Sequence, residues 1–379
     1  MPSWLKEGRG SLCGANVSLL LREMGITKPL LVAGERTKNV FFARTGMRLP
    51  VFDAFHPNPD LQDCVAGAAL YQEKGCDGLI SIGGGSAMDT AKGIKALLMT
   101  DIAHVRANQL PPEGKVPHLA IPGTAGTGAE TTAVAVLYED GQKLSVDHPA
   151  LLPDGVLLDG SLLDTLPEYH RKSCAMDALA QGIESWWAKK ATPGSRIHAE
   201  RAIRGVLDNL TAYLQGDRKA QDEMLHAAYE SGVAILTTRT TAAHAMSYQI
   251  TKKLGAAHGH ACMLTLPHLW AHLAAQAEYQ PMLTELAHIL GGEKPMDGAV
   301  LLKGLLAVLE LDKIPMPDDA TLDMLAASVN PERLGNHPEA LTTAQLRAIY
   351  VQAFTPMTDT ERAEAIAAWE QYGLSLIHI

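Results

Sequence analysis

The chain has 379 residues, of which 47% are hydrophobic and 20% are charged, and its mean hydropathy is +0.00. This composition is typical of a globular protein, and the length allows two domains with separate cores. The formal net charge of -10 argues against non-specific binding to nucleic acid or to anionic membranes. No uncharged apolar run reaches membrane-spanning length and the N-terminal residues lack a signal-peptide core, which predicts a cytoplasmic protein without a membrane partner.

The cysteines favour the same compartment. Five are scattered along the chain, at Cys13, Cys64, Cys76, Cys174 and Cys262. Their spacing suggests neither a disulfide framework nor a thiolate metal site, so we expect free thiols in a reducing cytoplasm.

The N-terminal part of the chain alternates strand-like and helix-like runs. Apolar runs predict strands at 29–33, 78–82, 118–121 and 133–138, and helical patterns lie at 61–74 and 87–98. Strands that alternate with helices predict an α/β domain with a largely parallel sheet.

A glycine-rich turn joins the predicted strand 78–82 to the following helix. It reads Gly83-Gly84-Gly85-Ser86, and Asp89 follows within the first helical turn. Glycines let the backbone approach a phosphate closely, and a helix N-terminus offers N–H groups to it, so the turn predicts a nucleotide site. The alternative is a plain tight turn in which Ser86 and Asp89 form a capping box.

A second glycine-rich turn, at 122–130, strengthens the nucleotide interpretation. Thr124 and Thr127 supply hydroxyls suited to lining a nicotinamide ribose. Lys143 is a candidate to neutralise a phosphate or a charge at the ribose, the alternative being a solvated surface lysine.

The pattern changes after Pro167, where long helical runs rich in Ala, Leu and Met begin. We predict an α/β domain at 1–167 and a helical domain at 168–379, with an active site in the cleft between them. The last residues, 374–379, read LSLIHI and resemble a translated sequencing adaptor, so we expect an artefactual tail rather than an ordinary apolar one.

Polar residues with helical spacing in the second half predict a metal site. Asp177 and Gln181 are four residues apart, as are His244 and Tyr248, so each pair shares one helix face. His258 follows after enough residues for a helix to end and another to begin. One carboxylate, one amide and two imidazoles can then converge on a divalent transition metal.

These motifs together resemble the iron-containing (group III) alcohol dehydrogenases, which share a fold with dehydroquinate synthase. The resemblance rests on Gly83-Gly84-Gly85-Ser86 with Asp89, Thr124-Ala125-Gly126-Thr127, Asp177-Ala178-Leu179, and His244 with His258-Gly259. It implies an N-terminal α/β dinucleotide-binding domain, an all-α C-terminal domain and a homodimer. It also implies that Asp177, His244 and His258 bind the metal, with Gln181 where the family usually has a histidine. Fe(II) is the family's metal, and the amide makes Zn(II) a rival.

The resemblance also bears on proton transfer and on the cofactor. The family often has a proton-relaying histidine where Tyr248 stands, so Tyr248, His260 or ordered water is expected to deliver the proton; the alternative for Tyr248 is simple packing. Many NAD-using members have an acid at the position of Gly34. Its absence leaves room for a 2′-phosphate that Arg36 can pair with, so we favour NADP(H) over NAD(H).

Within the family, segments 177–186 and 240–248 resemble the phosphonoacetaldehyde reductase branch. The predicted reaction is NAD(P)H-linked reduction of a small aldehyde, best fitted by phosphonoacetaldehyde giving 2-hydroxyethylphosphonate, and Arg239 is the candidate partner for the substrate's anionic group. Three alternatives remain open. They are a dehydrogenase for simple alcohols or sulfoacetaldehyde, a lyase of the dehydroquinate-synthase type, and a metal-poor nucleotide-binding relative without catalysis.

Overall fold

The computed structural model describes residues 5–112 and 116–371. The chain divides into two compact units, Met1–Thr165 and Leu166–Ile379. The tail 374–379, expected to be an artefact, lies outside the described residues.

The N-terminal unit is built on a six-stranded parallel sheet with strand order β1-β8-β5-β4-β2-β3. A separate antiparallel hairpin is formed by β6 and β7. The strands are β1 Lys6–Arg9, β2 Pro29–Ala33, β3 Val51–Phe52, β4 Gly78–Gly83, β5 His118–Pro122, β6 Val134–Glu139, β7 Gln142–Asp147 and β8 Gly155–Leu158. The helices are α1 Gly14–Glu23, α2 Glu35–Thr45, α3 Leu61–Lys74, α4 Gly85–Met99 and α5 Ile102–Arg106.

Alternate residues of the central strands feed two hydrophobic cores. In β2, Leu30 and Val32 belong to the core that contains residues of α3 and α4. Leu31 and Ala33 belong to the core that contains residues of α1 and α2. Successive side chains of a strand point to opposite faces of the sheet, and helices cover both faces here. Both sets of side chains are therefore buried, which explains why the strand sequences are continuously apolar.

The predicted α/β fold class is confirmed, with two local differences. The strand predicted at 133–138 pairs with β7 through the turn Asp140-Gly141, both with positive φ, and is not part of the parallel sheet. Asp-Gly is a preferred two-residue hairpin turn. The capping box of Ser86 and Asp89 was wrong, because the N-cap of α4 is Gly84 and no side chain caps it.

The C-terminal unit is helical throughout the part that the structure describes. Its helices are α6 Glu168–Trp187, α7 Pro193–Leu214, α8 Arg218–Thr238, α9 Ala242–Gln249, α10 His258–Ala274, α11 Gln280–Leu290, α12 Asp297–Val308, α13 Asp319–Ala327, α14 Pro331–Leu334, α15 Thr343–Phe354 and α16 Asp359–Gln371. A π-helical turn, Ile250–Leu254, joins α9 to α10 and ends at Gly255 in the left-handed region. Across the described chain, every helix falls short of the length or the apolar character needed to cross a bilayer.

Gly259 sets the close packing of α10 on α6. A Cβ at this position would lie 1.9 Å from the Ser173 carbonyl oxygen and 2.7 Å from the Asp177 backbone nitrogen. Only glycine therefore permits this approach, which brings the first turn of α10 against the middle of α6. The helix faces that carry the candidate metal ligands meet at this contact.

Candidate metal centre and nucleotide-binding turn

Four buried or half-buried side chains of the helical unit converge on one point. They are Asp177 on α6, His244 on α9, and His258 and Cys262 on α10, and one ligand atom of each lies within 4.8 Å of the other three. His244 Nε2 is 3.2 Å from Asp177 Oδ1, and His258 Nε2 is 3.9 Å from the same oxygen. The three predicted ligands Asp177, His244 and His258 are therefore brought together, with a thiol that the spacing argument did not find.

Hydrogen bonds from neighbouring side chains orient both imidazoles. The Glu184 carboxylate pairs with His244 Nδ1, and its other oxygen accepts from the Thr241 hydroxyl at 2.6 Å and the Ala243 backbone N–H at 2.8 Å. His258 Nδ1 lies 3.3 Å from Ser247 Oγ. Each ring therefore has its Nδ1 engaged and its Nε2 directed at Asp177, an arrangement typical of metal-ligating histidines.

The charges of the cluster depend on one another. Burial acts to raise the pKa of Asp177, but His258 and His244 outweigh it and the pKa is lowered. Burial likewise raises the pKa of Cys262, whereas His244 and His258 bring it down to about 7. The pKa of His258 rises to about 9, since Cys262 and Asp177 outweigh desolvation. A cation replaces the imidazole protons when it binds such a set, so the donors are suited to a divalent transition metal.

Gln181 lies beside this cluster with its amide already engaged. Its Oε1 accepts a hydrogen bond from Ser231 Oγ at 2.8 Å, and its Nε2 lies 3.5 Å from Asp177 Oδ1. In this orientation the amide presents nitrogen, not oxygen, to the ligands. Its role as a ligand stays a prediction.

The three residues predicted to act on substrate have different surroundings. Tyr248 stacks on the His258 ring, with centroids 6.1 Å apart and an interplanar angle of 1°. His260 is 6% exposed, and its two nitrogens contact the Tyr169 hydroxyl at 3.0 Å and the Leu311 carbonyl at 2.8 Å. These contacts favour a structural role for His260 over a proton relay. Arg239 is half-buried at the end of α8 with φ +63° and donates to the Leu236 carbonyl at 2.9 Å.

In the N-terminal unit, the first glycine turn forms one wall of a cavity of about 340 Å³. The lining includes Gly34, Arg36, Gly84, Gly85 and Ser86 among the predicted cofactor residues. The N-terminus of α4, uncapped by any side chain, opens into this turn. The backbone N–H groups at such a helix N-terminus can bind a phosphate.

The second glycine turn packs directly against the first. A Cβ on Gly84 would lie 3.3 Å from Thr124, and one on Gly85 would lie 3.7 Å from Thr127. The Gly123 backbone N–H donates to the Gly83 carbonyl at 2.7 Å. Side chains at these glycines would narrow the cradle that the two turns form, most of all at Gly84, where a Cβ would make a tight contact with Thr124.

Asp89, Lys143 and Arg36 complete the set of predicted cofactor residues. Asp89, half-buried on α4, does not line the described cavity; burial raises its pKa to about 6 against the opposing charges of Lys92 and Lys143. Lys143 is exposed on β7, opposite Tyr138. The Arg36 guanidinium donates to the Thr165 carbonyl at 3.0 Å and to its hydroxyl.

Two features of the site escaped the sequence reasoning. Glu184 lies two helical turns after Asp177 and Cys262 lies one turn after His258, so both follow the helical spacing already used for the other pairs. Applying that spacing to every ligand, in both directions, would have found them.

A parallel sheet with a glycine cradle and a helical unit with a cluster of candidate metal ligands define an α/β-plus-helical architecture of two units. Two family models match the chain: "Iron-containing alcohol dehydrogenase" over residues 3–160 and "Fe-containing alcohol dehydrogenase family, C-terminal" over residues 172–354. The chain belongs to the iron-containing alcohol dehydrogenases, a family of oxidoreductases.

Similar proteins have several substrates. The chain is 30% identical over 299 residues to the NAD-dependent methanol dehydrogenase of Bacillus methanolicus, covering 74% of this chain and 77% of that one. It is 36% identical over 230 residues to the phosphonoacetaldehyde reductase of Streptomyces viridochromogenes, covering 56% and 58%. The sulfoacetaldehyde reductase of Bifidobacterium kashiwanohense, solved in complex with NAD+, has a TM-score of 0.84 and 26% identity, covering 93% and 97%.

Proposed function

We propose that this protein reduces a small aldehyde to its alcohol with NAD(P)H, at a divalent metal held by Asp177, His244 and His258. The observation that carries the proposal is the buried convergence of these donors within 4.8 Å of one another. Metal analysis of the purified protein, with aldehyde-dependent NADPH oxidation before and after chelation, tests it. Full activity without metal would overturn it.

The chain's residues have distinct tasks in this scheme. When bound, the metal supplies Lewis-acid polarisation of a carbonyl, and the nicotinamide supplies the hydride. Asp177, His244 and His258 hold the cation, while Glu184 and Ser247 keep the two Nε2 atoms directed inward. The proposed division is that residues 1–167 bind the nucleotide and residues 168–379 bind the metal and substrate.

Proton delivery to the product alkoxide is assigned to Tyr248. Its ring stacks on His258, so its hydroxyl is carried by a side chain adjacent to a metal ligand. A phenol with an unperturbed pKa of about 10 can donate a proton at neutral pH. Tyr248→Phe keeps the stacking and removes the proton, so a fall in kcat with unchanged metal content supports the assignment.

The proposed substrate is phosphonoacetaldehyde, and sulfoacetaldehyde is the main competitor. The reductases that the chain resembles act on these two anionic aldehydes by name. Arg239 is the proposed anion partner, since it is half-buried near His244 in sequence and carries a permanent charge. Arg239→Gln should raise KM for both anionic aldehydes and leave KM for propanal unchanged. Faster reduction of propanal than of either anion by the unaltered protein would remove this substrate assignment.

The proposed cofactor is NADP(H). Gly34 supplies no carboxylate to the cavity. The carboxylate of the lining residue Glu35 is engaged by Lys38 and Asn39. Arg36 lines the cavity with a guanidinium that has five donors, more than its contacts to Thr165 use. Comparing kcat/KM for NADPH and NADH in the unaltered protein and in Arg36→Gln tests this. A preference for NADH that Arg36→Gln does not change would reverse it.

The family resemblance supports three further proposals. The metal is a divalent ion, either Fe(II), as is usual in the family, or its rival Zn(II), and the protein is a homodimer in the cytoplasm. Sedimentation should give twice the 40.6 kDa chain mass. A mass equal to one chain would exclude the dimer.

A further inference from the structure

Cys262 is the fourth donor of the metal cluster by geometry. It follows His258 by one turn on α10, so both side chains lie on the same helix face. Its Sγ is 3.9 Å from His258 Nε2 and within 4.8 Å of the chosen ligand atoms of Asp177 and His244. The thiol is fully buried, so no face of it is shared with solvent.

The spacing of the donors agrees with one tetrahedral ion. Zinc binds oxygen and nitrogen at about 2.0–2.2 Å and sulfur at about 2.3 Å, which places tetrahedral ligands about 3.3–3.7 Å apart. The observed separations of 3.2 Å for His244–Asp177 and 3.9 Å for His258–Asp177 and for His258–Cys262 bracket that range. The other donor pairs lie within 4.8 Å of one another, so shifts of up to about 1 Å would complete the geometry.

Gln181 is the competing fourth donor. Ser231 has one hydroxyl hydrogen, yet its Oγ lies 2.7 Å from the Ala228 carbonyl and 2.8 Å from Gln181 Oε1. Turning the amide over would let Gln181 donate to Ser231 and present oxygen to the cluster. A neutral amide oxygen is nevertheless a weaker ligand for a transition metal than a thiolate.

We propose that Cys262, not Gln181, completes the protein ligands of the metal, and that the resulting set of one carboxylate, two imidazoles and one thiolate selects Zn(II) over Fe(II). The proposal rests on the metal site of the proposed function. Between these two ions, a thiolate ligand favours Zn(II). A substrate oxygen would then take a fifth position, which zinc accepts.

Replacement of the native metal by Co(II) tests the ligand directly, because a thiolate bound to Co(II) gives a near-ultraviolet charge-transfer band. The band should be present in the unaltered protein and in Gln181→Ala, and absent in Cys262→Ser. Cys76→Ser, a half-buried thiol in the N-terminal unit, is the matched control and should keep it. Zn(II) affinity should fall by at least about tenfold in Cys262→Ser.

X-ray absorption at the zinc edge of the unaltered protein gives a result that does not depend on the folding of a variant. A sulfur scatterer at about 2.3 Å is expected. A shell of oxygen and nitrogen only, or a charge-transfer band that persists in Cys262→Ser, would overturn the assignment of Cys262. Failure of the unaltered protein to bind any divalent metal would instead refute the proposed function.

Discussion

The glycine cradle of the α/β unit and the candidate metal cluster of the helical unit are built in opposite ways. The cradle is built from backbone: two adjacent turns, kept close by missing side chains, and the start of α4. The cluster is built from side chains on three helices, and its two imidazoles are oriented by Glu184 and Ser247. A site of the first kind is contiguous in sequence, whereas a site of the second kind exists only after the helices have packed.

From this contrast we predict that a substitution in one site leaves ligand binding at the other site unchanged. Asp177→Ala should have the largest effect. Loss of the shared carboxylate removes the cation and several kcal/mol of transition-state stabilisation, so kcat should fall by at least about 10³-fold. NADPH affinity, measured by fluorescence titration, should stay within a factor of about two. A parallel loss of nucleotide affinity would contradict the independence of the two sites.

Glu184→Gln tests whether the cluster depends on the residues that orient its ligands. The amide keeps the shape of the carboxylate but holds the His244 imidazole less firmly, so metal affinity should fall about 10–100-fold. Competition with a chromophoric chelator measures it. Glu168→Gln, on the exposed first turn of the same helix, is the control and should leave metal affinity unchanged.

Gly84→Ala tests the cradle in turn. The added methyl group would lie 3.3 Å from Thr124 and occupy space at the phosphate-binding turn. The KM for the nucleotide should rise by about tenfold, or about 1.4 kcal/mol of binding, with metal content unchanged. Gly194→Ala, at an open position on α7, should change neither quantity. An unchanged KM in Gly84→Ala would show that the turn does not approach the cofactor.

The last effect is on stability, not on activity, and concerns pH and Glu130 in the second glycine turn. Burial raises the pKa of Glu130 to about 7 from 4.5, outweighing a backbone hydrogen bond and Lys92. The folded protein therefore binds more protons than the unfolded chain between these values, and the free energy of unfolding should decrease as pH rises through them, by on the order of 1–3 kcal/mol.

Glu130→Gln, which imitates the protonated side chain, should flatten that dependence in urea unfolding measured across the same pH range. Exposed Glu23→Gln is the control and should leave the slope intact. An unaltered slope in Glu130→Gln would assign the pH dependence to other groups.

The contiguous elements were predictable from sequence because each carries its own signal. Pro29–Ala33 was predicted with its observed limits, since five consecutive apolar residues can only be a strand buried on both faces here. The glycine-rich turn was also predictable from its residues. The residue that caps α4 was not, because the choice between Ser86 and Gly84 as N-cap depends on how the strand enters the helix.

The metal cluster was predictable only in part. Asp177, His244 and His258 stand out as polar residues in apolar helical runs, and the structure brings them together. The helical spacing from His258 points to Cys262, but the approach of its thiol to Asp177 and His244 depends on how α10 packs against α6 and α9. The same contact explains why the neighbouring His260 is directed toward Tyr169 and Leu311 instead.

The π-helical turn Ile250–Leu254 has a consequence for how this chain can vary in length. Together with Gly255, the left-handed residue that ends it, this turn sets the rotation of α10 about its axis relative to α9. It therefore sets the direction of His258 relative to His244. Each helical residue contributes about 100° of rotation. Deleting a single residue from this joint would swing the imidazole of His258 a quarter-turn away from its partners, so the linker tolerates changes of composition far better than changes of count.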